Sequence, residues 1–224
     1  MSGAVLLDFG GTLDADGVPW SQRFYNGYRG LGGSLDRFEF EERFQRSDRL
    51  VEDLPDVTGL GFYGLVLGQL TILRSLMPDG DAIDLDAWTS DFVIASTTTV
   101  ARNRKILQMI RKQFTLGVVS NFTGNLEPCL VELELADCFA VMVDSGQLGI
   151  RKPDVRVFRR AIDTLGVPAE CCWMVGDNPF ADIEPASRIG CRTCWIAPLT
   201  RETPTGVSPT RRIASLAELP AALG

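Results

Sequence analysis

Five short apolar runs recur along the chain with no polar alternation inside them: residues 4–7, 116–119, 139–143, 171–175 and 193–197. Turn residues bound each run. A strand buried on both faces has this pattern, because neither side of its pleat meets water. Between the runs lie segments of helical spacing. Residues 154–165 place Val155, Phe158, Ile162 and Leu165 on one face, with Gly166 as a C-terminal stop. Residues 101–113 and 125–135 have similar character. Strand alternating with helix predicts an α/β domain with a parallel sheet flanked by helices.

The alternation breaks between residues 19 and 98. That stretch contains helical pieces at 35–51 and 65–76 and no buried strand. It also carries the charge: residues 15–100 hold 14 acidic and 7 basic side chains, and the rest of the chain is balanced. The expected organisation is a core of residues 1–18 and 99–224 with a helical cap domain at 19–98. Gly59-Leu60-Gly61-Phe62-Tyr63-Gly64 inside the insert fits GxGxxG, but a turn precedes it where the dinucleotide fingerprint needs a strand, so it reads as a helix start. Gly30-Leu31-Gly32-Gly33 reads as a helix–helix turn, and residues 198–210 as a surface loop.

Composition narrows the chemistry. The 224 residues include no histidine. That removes Ser-His-Asp and Cys-His catalysis and His-ligated zinc. A net charge of −7 repels polyanions, so no nucleic-acid partner is expected. No apolar stretch is long enough for a membrane span. Met1-Ser2-Gly3-Ala4 lacks the charged and apolar regions of a signal peptide. The six cysteines, including Cys191-x-x-Cys194, read as free thiols, so the expected compartment is the cytoplasm. Cys171 and Cys172 read as small buried hydrophobes.

Four clusters fall at or just after predicted strand ends, where open α/β sheets bind ligands. They are Asp8-Phe9-Gly10-Gly11-Thr12-Leu13, Val119-Ser120-Asn121, Lys152-Pro153-Asp154 and Gly176-Asp177 with Asp182. Each alone has a structural explanation as a turn or cap. Together they gather carboxylates suited to Mg²⁺, and a hydroxyl and a lysine suited to a phosphoryl group.

This ordered set resembles the haloacid dehalogenase superfamily, whose helical C1-type cap sits where the insert lies. The resemblance implies a Rossmann-like sheet and an Mg-dependent phosphatase acting on a small phosphorylated metabolite. By the same resemblance Asp8 is the nucleophile that forms an aspartyl-phosphate, and Asp8, the Gly10 carbonyl and Asp177 hold the metal. Ser120, Asn121, Lys152 and the Gly11 backbone grip phosphate, and Asp182 orients the site from behind. Residues 13–18 then fit a β-hairpin flap, an expectation that Asp16-Gly17 supports independently.

One position departs from the family pattern. Gly10 stands where phosphatases of the family usually carry an acid/base Asp. Asp14 and Asp16 are the nearest replacement carboxylates, although both suit turn formation better. The alternative reading is a HAD-like protein of impaired turnover that binds a phosphorylated ligand or a protein partner. The dehalogenases of the family carry an aromatic residue at the Gly10 position. A phosphonatase needs a cap lysine, and the three lysines, Lys105, Lys112 and Lys152, all lie outside the insert. Arg23, Tyr25, Arg29 and Arg74 are available in the insert to recognise substrate.

Overall fold

The computed structural model describes residues 3–224. Met1 and Ser2, half of the segment read above for a leader, lie outside the described residues. The apolar runs form strands β1 (Ala4–Leu7), β2 (Thr115–Ser120), β3 (Val141–Asp144), β4 (Cys172–Gly176) and β5 (Arg192–Ile196). A further strand, β6 (Arg211–Ile213), was not expected. It has three residues, two of them arginine, and buries only Ile213, so no apolar run marks it. All five pairings are parallel, and the order is β3-β2-β1-β4-β5-β6.

This order places β1 at a topological switch point. From β1 the chain winds outward through β2 and β3 on one side, then through β4, β5 and β6 on the other. A crevice opens at the carboxyl end of the strand where the winding reverses. Register decides what lines it. Leu7 pairs with Val118 of β2 and with Val175 of β4. Asp8, Ser120 and Asp177 therefore leave three adjacent strands at nearly the same height.

Both faces of β1 are buried, in different cores. Val5 and Leu7 join Phe24, Phe62 and Trp88 of the inserted helices. Ala4 and Leu6 join Phe158 and Ile162 on the opposite face. The inserted helices are α1 (Trp20–Gly30), α2 (Arg37–Leu50), α3 (Phe62–Ser75) and α4 (Leu85–Ile110). Asp36 and Glu39 form a reciprocal capping box at the start of α2. Gly61 is the N-cap of α3 with no strand before it, so the glycine cluster is a helix start. The turn at 30–33 is also present.

The 26-residue α4 corrects the reading of residues 101–113 as a separate helix. It runs through the expected boundary at 98 and 99 without a break. Thr97, Thr98 and Thr99 each bond a carbonyl four residues earlier, so the β-branched run stays helical. The remaining helices include α5 (Leu126–Glu132), the single turn α6 (Ser145–Leu148) and α7 (Val155–Leu165). In α7 the buried face is Val157, Phe158, Ala161 and Ile162, one step from the predicted stripe, and Gly166 ends the helix at φ +64°.

The flap expectation is also corrected. Residues 13–18 form turns and no strand. Asp14 is drawn fully inside, where it accepts from the Gly11 N–H (2.7 Å), Trp20 Nε1 (2.8 Å) and Arg23 (2.7 Å). Asp16 takes a left-handed φ of +48° and pairs with Arg102. Both carboxylates are turn anchors. The cysteines are free: Cys191 and Cys194 are buried, their thiols pushed up to about 12 by burial, whereas Cys171 is exposed on the turn before β4. Among the described residues, no helix is long and apolar enough to cross a membrane.

Candidate active site

Asp8, Ser120, Lys152, Asp177 and Asp182 meet above the ends of β1, β2 and β4, and all five are buried. Ser120 Oγ donates to Asp8 Oδ1 at 2.9 Å, and Lys152 Nζ donates to the same oxygen at 2.7 Å. Nζ also donates to Asp182 Oδ1 at 2.6 Å and to the Val119 carbonyl at 3.0 Å. One Asp8 oxygen is thus held from two sides. The other, Oδ2, accepts no hydrogen bond among the described residues.

Burial works against the Lys152 ammonium, but Asp182 and Asp8 overcome it and hold the proton more firmly than on an ordinary lysine. Asp182 is fully buried, and that burial outweighs Lys152, pushing its carboxyl up to about 6. Its Oδ2 accepts from the Asn178 N–H at 3.0 Å, so both oxygens are occupied. Asp182 holds Lys152 in place from the cavity wall.

Asp177 differs. It is 4% exposed, and its recorded side-chain bond is a long one from Thr12 Oγ1 at 3.3 Å. Among the described residues no basic group comes within ion-pair distance of it. Burial and the neighbouring Asp8 push its carboxyl well above the usual range. Asp8, Asp177 and Asp182 each offer an oxygen within 4.8 Å of the others, against one lysine. A buried carboxylate without a cation is costly, so this donor set fits a hard divalent ion. Asp8 and Asp177 would hold it, with Gly10 on the same pocket wall.

One phosphate contact needs correction. The Gly11 N–H donates to Asp14 and is not free for a phosphoryl oxygen. Glycine is nonetheless required there: φ is +88°, and a Cβ would lie 2.7 Å from the Asp177 carboxylate. The Asn121 side chain is also committed. Its Oδ1 accepts from the Lys152 N–H at 2.7 Å and its Nδ2 donates to the Lys152 carbonyl at 3.0 Å. Asn121 therefore ties the Ser120 loop to the Lys152 loop, placing two functional groups against Asp8.

Gly10 has an ordinary φ of −71°. A Cβ at this position would meet the Trp20 indole Nε1 at 3.3 Å, a tight contact that the ring would have to ease by a few tenths of an ångström. A cavity of about 300 Å³ rises from the carboxylates between α2 and α3. Its walls include Trp20 and Phe122, and its roof includes Phe44, Asp48, Leu65 and Gln69. Arg23, Tyr25, Arg29 and Arg74 do not line it. Arg23 is spent on Asp14, Ser96 and the Phe92 carbonyl, Arg29 on the Gly33 carbonyl and Arg74 on the Ile83 carbonyl. Nothing in the sequence distinguishes Asp48 or Gln69 from other helical polar residues. Their partial hiding on α2 and α3 is the only signal, and tertiary packing creates it.

Fold and rim together define a class: a Rossmann-type α/β protein whose rim joins buried carboxylates, a hydroxyl and a lysine. The model of the haloacid dehalogenase-like hydrolases matches residues 3–190, and the chain belongs to that family. Among curated proteins, the pyrimidine 5'-nucleotidase YjjG of Escherichia coli is 34% identical over 116 residues, 51% of this chain and 52% of that protein. The phosphoserine phosphatase of Thermus thermophilus is 36% identical over 110 residues, 49% of this chain and 44% of that protein. The chain spans about half the length of the curated relatives it matches. Two solved structures extend the likeness over the whole chain. The 2-haloacid dehalogenase of Pseudomonas syringae has a TM-score of 0.57 at 25% identity, covering 100% of this chain and 98% of that one. The magnesium-bound putative HAD-hydrolase YfnB of Bacillus subtilis has a TM-score of 0.61 at 19% identity, covering 100% and 99%. The expected family and fold are thereby borne out.

Proposed function

We propose that this hydrolase is an Mg²⁺-dependent phosphatase of a small phosphorylated metabolite, working through an aspartyl-phosphate on Asp8. The observation that carries the reading is the pair of oxygens on Asp8. Oδ1 is anchored by Ser120 and Lys152, and Oδ2 has no partner among the described residues, with Asp8 on the cavity wall. An anchored carboxylate with one free oxygen is a prepared nucleophile. Oδ2 attacks phosphorus as the ester P–O bond breaks. Ser120 and Lys152 lie where they stabilise charge on the phosphoryl oxygens. Bound at Asp8 and Asp177, Mg²⁺ supplies charge neutralisation between the carboxylates and the phosphate. Residues 19–98 act as the cap that closes the cavity and excludes water. The curated phosphatase relatives support this reaction class, and the uncompensated Asp177 supports a metal.

A second reading rests on Gly10 and Trp20. With an indole where the acid/base carboxylate belongs, the chain holds a phosphorylated ligand or a protein partner and turns over poorly. A screen of phosphorylated metabolites with Mg²⁺, against an Asp8→Asn control, separates the two. Hydrolysis above the control supports the phosphatase, and none for any compound supports the binder.

Asp177→Asn tests the metal. The variant is expected to bind Mg²⁺ about tenfold more weakly, a loss of about 1.4 kcal/mol. In chelator it is expected to melt no lower than wild type, because a buried uncompensated charge has gone. Equal Mg²⁺ affinity in calorimetric titrations of both proteins would remove Asp177 from the ligand set.

A further inference from the structure

The lining of the cavity combines the carboxylate and lysine cluster, the rings of Trp20, Phe44 and Phe122, the side chains of Arg151 and Arg201, and, on the roof between α2 and α3, Asp48 and Gln69. Gln69 is 2% exposed, deep for a polar residue on an otherwise apolar helix face. Its Nε2 donates to Asp48 Oδ1 over a long 3.4 Å, and its Oε1 accepts nothing among the described residues.

Asp48 has no ion pair among the described residues. Three charged groups act on it. Arg151 attracts it but is hydrogen-bonded to Glu52 at 2.9 Å. Glu52 repels it, and Arg49 attracts it from the exposed side of α2. Burial dominates these and pushes the Asp48 carboxyl up. The roof therefore presents the acceptor oxygens of a half-buried carboxylate and of an amide, beside an Arg151 already engaged by Glu52.

We infer that Asp48 and Gln69 form a subsite for an ammonium group on the leaving-group side of the phosphomonoester. The inference rests on the phosphatase reading and specifies its substrate class. An ammonium offers three donors and a positive charge. It satisfies Asp48 and the idle Gln69 oxygen together. A hydroxyl offers one donor and leaves the charge uncompensated, and a carboxylate is repelled by Asp48. The substrate class is a zwitterion, with phosphate held at the base and a primary amine at the roof. Trp20 and Phe122 flank the short apolar link between them.

The test uses ω-aminoalkyl phosphates of two to five carbons beside alkyl phosphates of matched length, with Mg²⁺ and the full chain. At one chain length the amine is expected to raise kcat/KM at least tenfold over its alkyl partner. Asp48→Asn, an isosteric change, should collapse that ratio towards one. Binding of the matching aminoalkyl and alkyl phosphonates, read by calorimetry, is measured on both proteins alongside. Selective amine binding that Asp48→Asn abolishes upholds the subsite even if no phosphate ester is hydrolysed, in which case the phosphatase reading alone fails. Hydrolysis of both series with equal kcat/KM overturns the subsite and leaves the phosphatase standing. Amine preference that survives Asp48→Asn also overturns it. So does an equal fall of kcat for both series with the ratio intact, since Asp48 would then serve the reaction and not recognition. Absence of binding and hydrolysis for every compound sinks both.

Discussion

Lys152→Met is expected to lower the stability of the metal-free protein by about 3–5 kcal/mol at neutral pH, the cost typical of removing one partner from a buried ion pair. Lys152 is 6% exposed, and its ammonium touches two of the three carboxylates gathered within 4.8 Å. Without it, Asp8, Asp177 and Asp182 face one another in a dry site. The pH dependence follows from the carboxyls. Burial raises Asp182 in the folded chain from 3.8 to about 6 and raises Asp177 as well. A carboxyl with a raised folded pKa binds its proton more tightly in the native state. Its contribution is therefore most favourable at low pH and is lost as pH climbs from about 4 towards the folded value. Wild type in chelator should lose stability as pH climbs from about 4, through about 6 for Asp182 and onward with Asp177. The variant should lose more over the same climb, because Asp177 and Asp182 then lack the one cation that lowers them. Mg²⁺ should restore part of the loss in both. Turnover should fall by about 10²–10³-fold, the usual effect of removing one donor to a transition-state oxyanion. Thermal melts from pH 4 to 8, with and without Mg²⁺, check this. A variant that melts like wild type across that range would mean the carboxylates do not depend on Lys152.

The same cluster shows which parts of the molecule were legible in the sequence. Strand positions were readable because β1, β2, β4 and β5 are buried on both faces, and a two-sided strand leaves an unbroken apolar run. The rim was readable because its groups follow those runs directly. Hydrogen-bond allocation was not readable. Gly11 sits where a phosphate-binding residue belongs, yet Asp14 takes its N–H, and the Asn121 side-chain amide is tied to the Lys152 backbone. Both outcomes depend on contacts between loops that are neighbours only in three dimensions. Asp14 shows this most clearly. In sequence it is a turn carboxylate beside Asp16, and in the structure it is a fully buried hub joining Gly11, Trp20, Arg23 and Ser96. Its burial removes it as a substitute acid or base, and its grip on Trp20 brings the indole over Gly10.

Gly10→Asp is the second large expected effect, and Trp20 governs it. The backbone at residue 10 accepts any side chain, since φ is −71° and ψ is 121°. Space is the obstacle. A Cβ would lie 3.3 Å from Trp20 Nε1 and 3.5 Å from Cε2. The indole cannot readily retreat. It packs edge-on against Phe62 at 5.9 Å and Phe92 at 5.3 Å between ring centres, and its N–H is bonded to Asp14 at 2.8 Å. The single variant is therefore expected to be overpacked by about 1–3 kcal/mol. That is a fall in Tm on the order of 5 °C for a chain of this size. Its carboxylate is also expected to be misaimed, so its gain in turnover should stay well below the roughly 10²–10⁴-fold that a placed acid/base group supplies. Trp20→Phe shortens the ring where the clash occurs. It leaves Asp14 with Gly11, Arg23 and Ser96 as partners. Gly10→Asp combined with Trp20→Phe should then recover stability relative to Gly10→Asp alone and show the larger gain in kcat. The four proteins of this cycle, compared by melts and by kcat on one hydrolysed substrate, give the coupling between the two positions directly. Strict additivity would refute the steric link between Trp20 and Gly10. A well-folded double variant with no gain in kcat would mean that the leaving group of the true substrate departs without a proton from residue 10.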